Sequence, residues 1–279
     1  MRVALCCLAK NENLYINDFV SWYVRIGIDT IYIFDNNEKE MDTIDHFIDS
    51  KYHKNIKVID IMGLREHHLQ QHIYTDFYHK YKNDFDWCLF VDIDEFLVNV
   101  PNIKSLLSSS IYNRFNQIRI MWRVFGDDNL ISRDMSKPVF QVFKKPISHS
   151  LMRDLKTKGN LEKQGKFILR GHLNNVNITS PHFASYGNRD LLVESCLPNG
   201  EKCFSKVVIN EPYYRNAIYI NHYMTKSLSE FIDQKLNRND AVYNYNINMN
   251  YYWRINQKTF DKLQYIKKRG IKIWVIKSW

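Results

Sequence analysis

The stretch Trp87-Cys88-Leu89-Phe90-Val91-Asp92-Ile93-Asp94-Glu95 runs five apolar residues straight into a cluster of carboxylates. A continuous apolar run of this length reads as a strand covered on both faces, because a strand with one wet face alternates. Such a strand belongs at the centre of a sheet flanked by helices. Open α/β sheets bind ligands outside the carboxyl ends of their strands, and the acids fall there. With an extended chain beyond Val91, Asp92 and Asp94 project the same way with α-carbons roughly 6.6 Å apart, close enough to share one hard cation. A helix cap or turn acid is the bland account of the same pair.

Outward from this junction, the first hundred residues alternate strand and helix patterns, the mark of βαβ units and a parallel sheet. Strands are expected from Val3 to Leu8, Thr30 to Phe34, Ile56 to Ile61 and Trp87 to Val91. Ile16, Phe19, Tyr23 and Ile26 recur at helical spacing and stop at Gly27, which serves as a C-terminal cap. A short helix is expected near residues 43–50, and a longer one has Leu69, Ile73 and Phe77 on one face. Beyond Glu95 the pattern loosens. Residues 118–124 and 139–143 read as strands, and the polar, Lys-rich segment 148–165 reads as a mobile loop. Ser227-x-x-Glu230 ahead of Phe231 and Ile232 has the form of a capping box, so a helix is expected from Ser227 to about Arg238.

The chain has 279 residues, enough for one large α/β domain with an appended extension. Apolar residues at 45% and only nine Gly and six Pro exclude a disordered or fibrous class. Five cysteines without a C-x-x-C pair read as reduced, buried thiols in a cytosolic setting. No targeting segment is visible, since the apolar run from Val3 to Ala9 is broken at once by Lys10-Asn11-Glu12. The net charge of +9 suits a phosphorylated substrate, an anionic membrane face or nucleic acid without choosing among them. From Lys258 onward, seven Lys or Arg stand against the single acid Asp261 among interleaved aromatics. That tail reads first as a solvated helix and strand, then as a contact with the inner membrane face, and last as a contact with nucleic acid.

Two Asp carboxylates with oxygen ligands suit manganese or magnesium, and such ions bind protein weakly but diphosphates well. The junction therefore points to a nucleoside diphosphate substrate. His222, Lys226 and a helix starting near Ser227 place an imidazole, an ammonium and a helix N-terminus within about two turns of chain, all of which favour a diphosphate. An ordinary hydrogen-bonded histidine at a strand end explains His222 equally simply. His68 and His72 are spaced i, i+4 like a zinc pair, but the Glu that a zinc-protease motif requires after the first His is replaced by Leu69. Gln70 or Gln71 at that helix start is a candidate donor contact, with Gln71 preferred.

Several separated segments together resemble glycosyltransferase family 92 and its bacterial relatives of the GT-A, family-2-like group. They are Lys10-Asn11-Glu12, Gly27-Ile28-Asp29, Phe34-Asp35-Asn36, Asp92-Ile93-Asp94-Glu95-Phe96, Trp122-x-x-Phe125-Gly126 and Asn221-His222-Tyr223-x-x-Lys226-Ser227-x-x-Glu230-Phe231. The resemblance implies a Rossmann-like, mostly parallel GT-A sheet over residues 1–240, with a nucleotide-binding half at 1–100, an acceptor half at 101–240 and a basic extension at 241–279. It implies transfer of a sugar from a nucleotide donor, UDP-linked, to a glycan or glycolipid hydroxyl in surface-glycan synthesis such as lipopolysaccharide or capsule. Manganese or magnesium is the implied cofactor and inversion the implied outcome. By the same resemblance Lys10, Asn11, Glu12 and Asp35 hold base and ribose with help from Arg65, Asp92 lies near ribose and metal, Asp94 is the direct ligand, and His222 completes the metal shell. The base that takes the acceptor proton is not identified; Asp127 and Asp128 are candidates, with Glu95 behind them, although an ordinary turn explains Gly126-Asp127-Asp128-Asn129 equally well.

On this reading nucleic acid is not a partner. Two other classes use parts of the same text. A nucleotidyltransferase or metal-dependent phosphohydrolase needs the same acids and ion, yet the first loop, Leu8-Ala9-Lys10-Asn11-Glu12-Asn13, lacks glycine. A basic nucleic-acid-binding module would be indifferent to Asp94 and steeply salt-dependent.

Overall fold

The computed structural model describes residues 1–148, 151, 165–187, 191–204, 217–236 and 249–264, with the backbone continuing to 268. Its strands are β1 (Val3–Ala9), β2 (Thr30–Asp35), β3 (Ile56–Asp60), β4 (Trp87–Phe90), β5 (Glu95–Val98), β6 (Gln117–Ile120), β7 (Trp122–Val124), β8 (Lys166–Arg170), β9 (Val176–Ser180), β10 (Phe183–Tyr186), β11 (Ser195–Cys196), β12 (Lys202–Cys203) and β13 (Tyr219–His222). Eight of them form one sheet in the order β12-β11-β6-β8-β4-β1-β2-β3. The run β4-β1-β2-β3 is parallel throughout, and β8 is inserted antiparallel between β4 and β6. The expected α/β class with a mostly parallel central sheet is what the chain adopts.

Hydrophobicity places the layers. Every residue of β4 is buried, as the unbroken apolar run requires, and β1 carries Val3, Leu5 and Cys7 toward one core and Ala4 and Cys6 toward the other. Helix α1 (Ile16–Arg25) covers the first face with Phe19, Val20 and Tyr23, while α2 (Leu69–Tyr81) covers the second with Leu69, Ile73, Tyr74, Phe77 and Tyr78. Gly27 ends α1 as expected: at φ +98° it donates to Val24 O, and Ile28 donates to Tyr23 O, the paired bonds of a Schellman cap. The five cysteines are free, four of them buried.

Three local expectations are corrected. Residues 139–143 contain a single helical turn, Val139–Val142, because Pro138 supplies its start and its carbonyl accepts from Gln141. Residues 118–124 split into β6 and β7, which join different sheets; β7 pairs with β13, and β13 pairs antiparallel with β5. The short helix near 43–50 is two 3₁₀ turns, Ile44–Phe47 and Ser50–Asn55. The capping box at Ser227 is present, and after Leu228–Glu230 the helix widens into a π-type turn, Phe231–Leu236. Most of the 148–165 loop, and the tail beyond 268, lie outside the described residues. Among those described, no helix is long and apolar enough to cross a membrane.

Candidate active site at the carboxyl ends of β1 and β4

The order β4-β1-β2-β3 puts β2 on one side of β1 and β4 on the other, so the chain changes direction between β1 and β4. A crevice opens at such a switch point, beyond the carboxyl ends of the two strands. Lys10-Asn11-Glu12 leaves β1 there, and Asp92-Ile93-Asp94 leaves β4.

The acids do not continue an extended strand. β4 ends at Phe90, and the chain turns: Glu95 N donates to Asp92 O at 3.1 Å, and Asp92 N donates to Glu95 Oε2 at 2.9 Å. The expected strand-like alternation of Asp92 and Asp94 is thereby replaced by a reciprocal turn, because Glu95 gives the Asp92 amide a partner that the sheet no longer supplies. Each Asp acquires its own environment. Asp92 Oδ1 accepts from Gln70 Nε2 at 2.6 Å, and Oδ2 lies 2.8 Å from Lys166 Nζ. Asp94 Oδ2 lies 2.9 Å from Lys235 Nζ, and Oδ1 lies 3.5 Å from His222 Nε2. Burial alone would raise both carboxyl pKa values. Lys166 outweighs it at Asp92, and Lys235 with His222 outweighs it more strongly at Asp94, so both are held below the ordinary carboxylate range. Glu95 goes the other way: fully buried beside two other acids, its carboxyl is pushed well up.

His222 reaches Asp94 through the small sheet. It stands opposite Glu95 in the β13–β5 register, and the next residue, Tyr223, donates its amide to Asp94 O at 2.9 Å. The imidazole rests against the Trp122 ring, with centroids 4.6 Å apart. Trp122 also meets His182, whose Nδ1 bonds Gly165 O at 2.9 Å; burial and the Lys166 charge lower its pKa to about 3, so this ring is neutral.

The first-loop residues are tied into ion pairs. Lys10 Nζ lies 3.0 Å from Glu38 Oε1, and Arg65 takes the other oxygen of the same carboxylate at 3.1 Å. Glu38 thus joins two positions that the sequence offered separately. Asn11 has φ +55° and bonds Asn37. Asp35 is wholly buried and accepts from Asn37 N, Thr43 Oγ1 and Ile44 N, which fixes the loop after β2. Lys226 is left-handed at φ +53°, a conformation costing about 1–3 kcal/mol for such a residue. It carries Nζ to 3.5 Å from Glu12 and 3.9 Å from the Tyr15 ring centroid.

Other candidates fall elsewhere. Gln71 turns to His68, and Gln70 makes the contact with Asp92. Asp127 accepts from Tyr252 Oη at 2.7 Å and from Asn129 N, and Asp128 accepts from Lys144 N and Lys145 N. These two acids build the turn and dock Met249–Ile255 against it. Lys166, Lys235, Glu38 and His182 were missed by sequence reasoning, and of the pair Gln70 and Gln71 the less favoured residue is the one at the site. Only Lys166 left a trace, as the polar residue opening the apolar run Phe167-Ile168-Leu169.

Among the described residues, no three His, Cys, Asp or Glu side chains form a ready metal cage. Asp94 Oδ1 and His222 Nε2 nevertheless form a hard and a borderline donor 3.5 Å apart. Adjacent ligands on a six-coordinate ion with bonds of about 2.1 Å stand about 3 Å apart, so this pair fits a divalent ion that takes its remaining ligands from water and phosphate. Asp92, with both oxygens engaged, stands beside that pair.

Residues 2–263 match the family model described as Glycosyltransferase family 92. No curated protein matches. Among solved structures, TarS of S. aureus aligns at 10% identity and TM-score 0.35, covering 61% of this chain and 28% of that one. Glucosyl-3-phosphoglycerate synthase from Mycobacterium tuberculosis, in complex with Mn2+ and uridine-diphosphate-glucose, aligns at 11% identity and TM-score 0.33, covering 61% and 56%. The WbbM bifunctional glycosyltransferase aligns at 11% and 0.31, covering 61% and 31%. The chain thus spans from about a quarter to just over half of these proteins.

Proposed function

The chain belongs to glycosyltransferase family 92, and from that premise we propose that it transfers a sugar from a nucleoside diphosphate donor, UDP-linked, to a hydroxyl of a glycan or glycolipid acceptor. The observation that carries the reading is the pairing of the Asp94 carboxylate with the His222 imidazole at 3.5 Å, at the switch point between β1 and β4.

Asp94 and His222 would hold a manganese or magnesium ion. Bound there, the ion supplies Lewis-acid neutralisation of the departing diphosphate. Asp92, locked by Gln70 and Lys166, would offer a fixed carboxylate to the ribose. Lys10 and Arg65, joined through Glu38, would supply cationic groups to the nucleotide from the side of the first loop. Lys226 anchors Glu12 and the start of the capped helix to each other, so the loop after β1 and the segment after β13 act as one rigid wall. Transfer with inversion in the service of surface-glycan assembly, and contact of the basic tail with an anionic membrane face, complete the proposal.

Isothermal titration of UDP with and without Mn2+ tests it. Binding should require the ion and vanish in Asp94→Asn. Equal affinity in both conditions would remove the metal bridge, and with it the phosphohydrolase alternative that needs the same ion, and would leave the basic binding module.

A further inference from the structure

The two ammonium–carboxylate pairs at the junction differ in how they are built. Lys166 opens β8 inside the main sheet with 1% of its side chain exposed, and it faces both Asp92 and Glu95. It is part of the framework. Lys235 comes from the π-type turn Phe231–Leu236, keeps 13% of its side chain exposed, and touches the site through Asp94 Oδ2 at 2.9 Å. Helices widened in this way recur at functional sites, because the extra residue turns a side chain off the regular face. Asp94 therefore has one oxygen toward a metal-type donor, His222, and the other held by a flexible cation whose own chemistry binds phosphate.

This arrangement has a consequence in charge. A divalent ion arriving alone meets a carboxylate already neutralised by Lys235 and raises the local charge by two. An ion arriving with a diphosphate adds almost none, and the released ammonium gains a phosphate oxygen in place of Asp94. Resting on the transferase reading, we infer that Lys235 is an exchangeable cation: it balances Asp94 in the free protein, and it moves to the donor diphosphate when ion and nucleotide enter together. Ion and nucleotide then bind synergistically, and Lys235 is a donor-phosphate residue.

Titration of Mn2+ alone, followed by its electron paramagnetic resonance, and of UDP with and without Mn2+, separates the possibilities. In the wild type, Mn2+ alone should bind weakly and UDP should tighten it at least tenfold. Lys235→Met should bind Mn2+ alone about tenfold more tightly than the wild type, because the competing cation is gone, while its affinity for UDP in the presence of Mn2+ falls about tenfold. Lys235→Arg, which keeps the charge, should retain the synergy and serves if the Met variant folds poorly. Unchanged Mn2+ and UDP affinities in Lys235→Met, beside metal-dependent UDP binding in the wild type, would overturn the exchange and leave the transferase reading intact. A wild type that binds UDP without regard to Mn2+ would overturn both.

Discussion

The ammonium of Lys166 lies 2.8 Å from Oδ2 of Asp92, although 74 residues separate the two in sequence. Burial would depress the lysine pKa, but Asp92 and Glu95 outweigh it and raise the value, so the charge persists inside the sheet. Truncating one partner leaves the other stranded. Lys166→Met should cost about 3 kcal/mol, the low end for breaking a buried pair because Asp92 keeps some solvent contact. Adding Asp92→Asn in that background should restore more than half of the loss. Urea unfolding of the two single variants and the double closes the cycle, and strictly additive losses would show that the pair is not coupled.

Asp94 and His222 should differ in how they fail. Asp94→Asn removes charge from the donor set and should lower the rate of nucleotide-sugar turnover by roughly two to three decades. His222→Ala leaves Asp94 in place and should instead raise the Mn2+ concentration needed for half-maximal rate at least tenfold or so, with a smaller change in the saturated rate. Wild-type metal dependence in His222→Ala would return this residue to a purely structural role beneath Trp122.

How much of this was readable beforehand follows from what kind of signal each feature leaves. The central strand was legible because burial on both faces demands an unbroken apolar run, and the acids beyond Val91 were legible because such strands end at ligand sites. The turn at Asp92–Glu95 was not, since it depends on the Glu95 carboxylate reaching the Asp92 amide, a contact that strand periodicity does not encode. Segment 139–143, Val-Phe-Gln-Val-Phe, is rich in strand-favouring residues yet folds as a turn, because Pro138 and the aromatic Trp22–Phe140 contact decide it. The pairing of Lys166 and of Lys235 with the acids was invisible for a different reason. Their partners lie 74 and 141 residues away, and a lone lysine in a chain with 39 Lys and Arg does not name its partner, even where, like Lys166, it opens an apolar run.

Glu230 gives a pH dependence with a fixed sign. Burial would raise its pKa, but Ser227 and Arg133 outweigh burial and hold it below the ordinary value. A group with a depressed folded pKa stabilises the native state at every pH above its unfolded value, and the contribution is lost as pH falls through the folded value. The wild type should therefore exceed Glu230→Gln in stability by about 2 kcal/mol from pH 7 down to about 4.5, with the gap shrinking at lower pH. Chemical unfolding at pH 7, 5, 4 and 3.5 checks this, and a gap that widens on acidification would contradict the assigned sign.

Asp127 separates a turn-building acid from a catalytic base. Its carboxylate already receives Tyr252 Oη and the Asn129 amide, and its own amide donates to Asn256 Oδ1 at 2.8 Å. Burial raises its pKa against the pull of those bonds, from the side of Thr259 as well as Tyr252. An acid that accepts the acceptor's proton in the transition state loses roughly two to four decades of rate when made an amide. One that holds a turn loses stability instead. Asp127→Asn keeps an acceptor oxygen for Tyr252 and should lower the thermal midpoint by a few degrees while the rate, measured well below that midpoint, stays within about fivefold. A hundredfold loss of rate in a fully folded variant would make Asp127 the base and would require Tyr252 to release it when the acceptor binds.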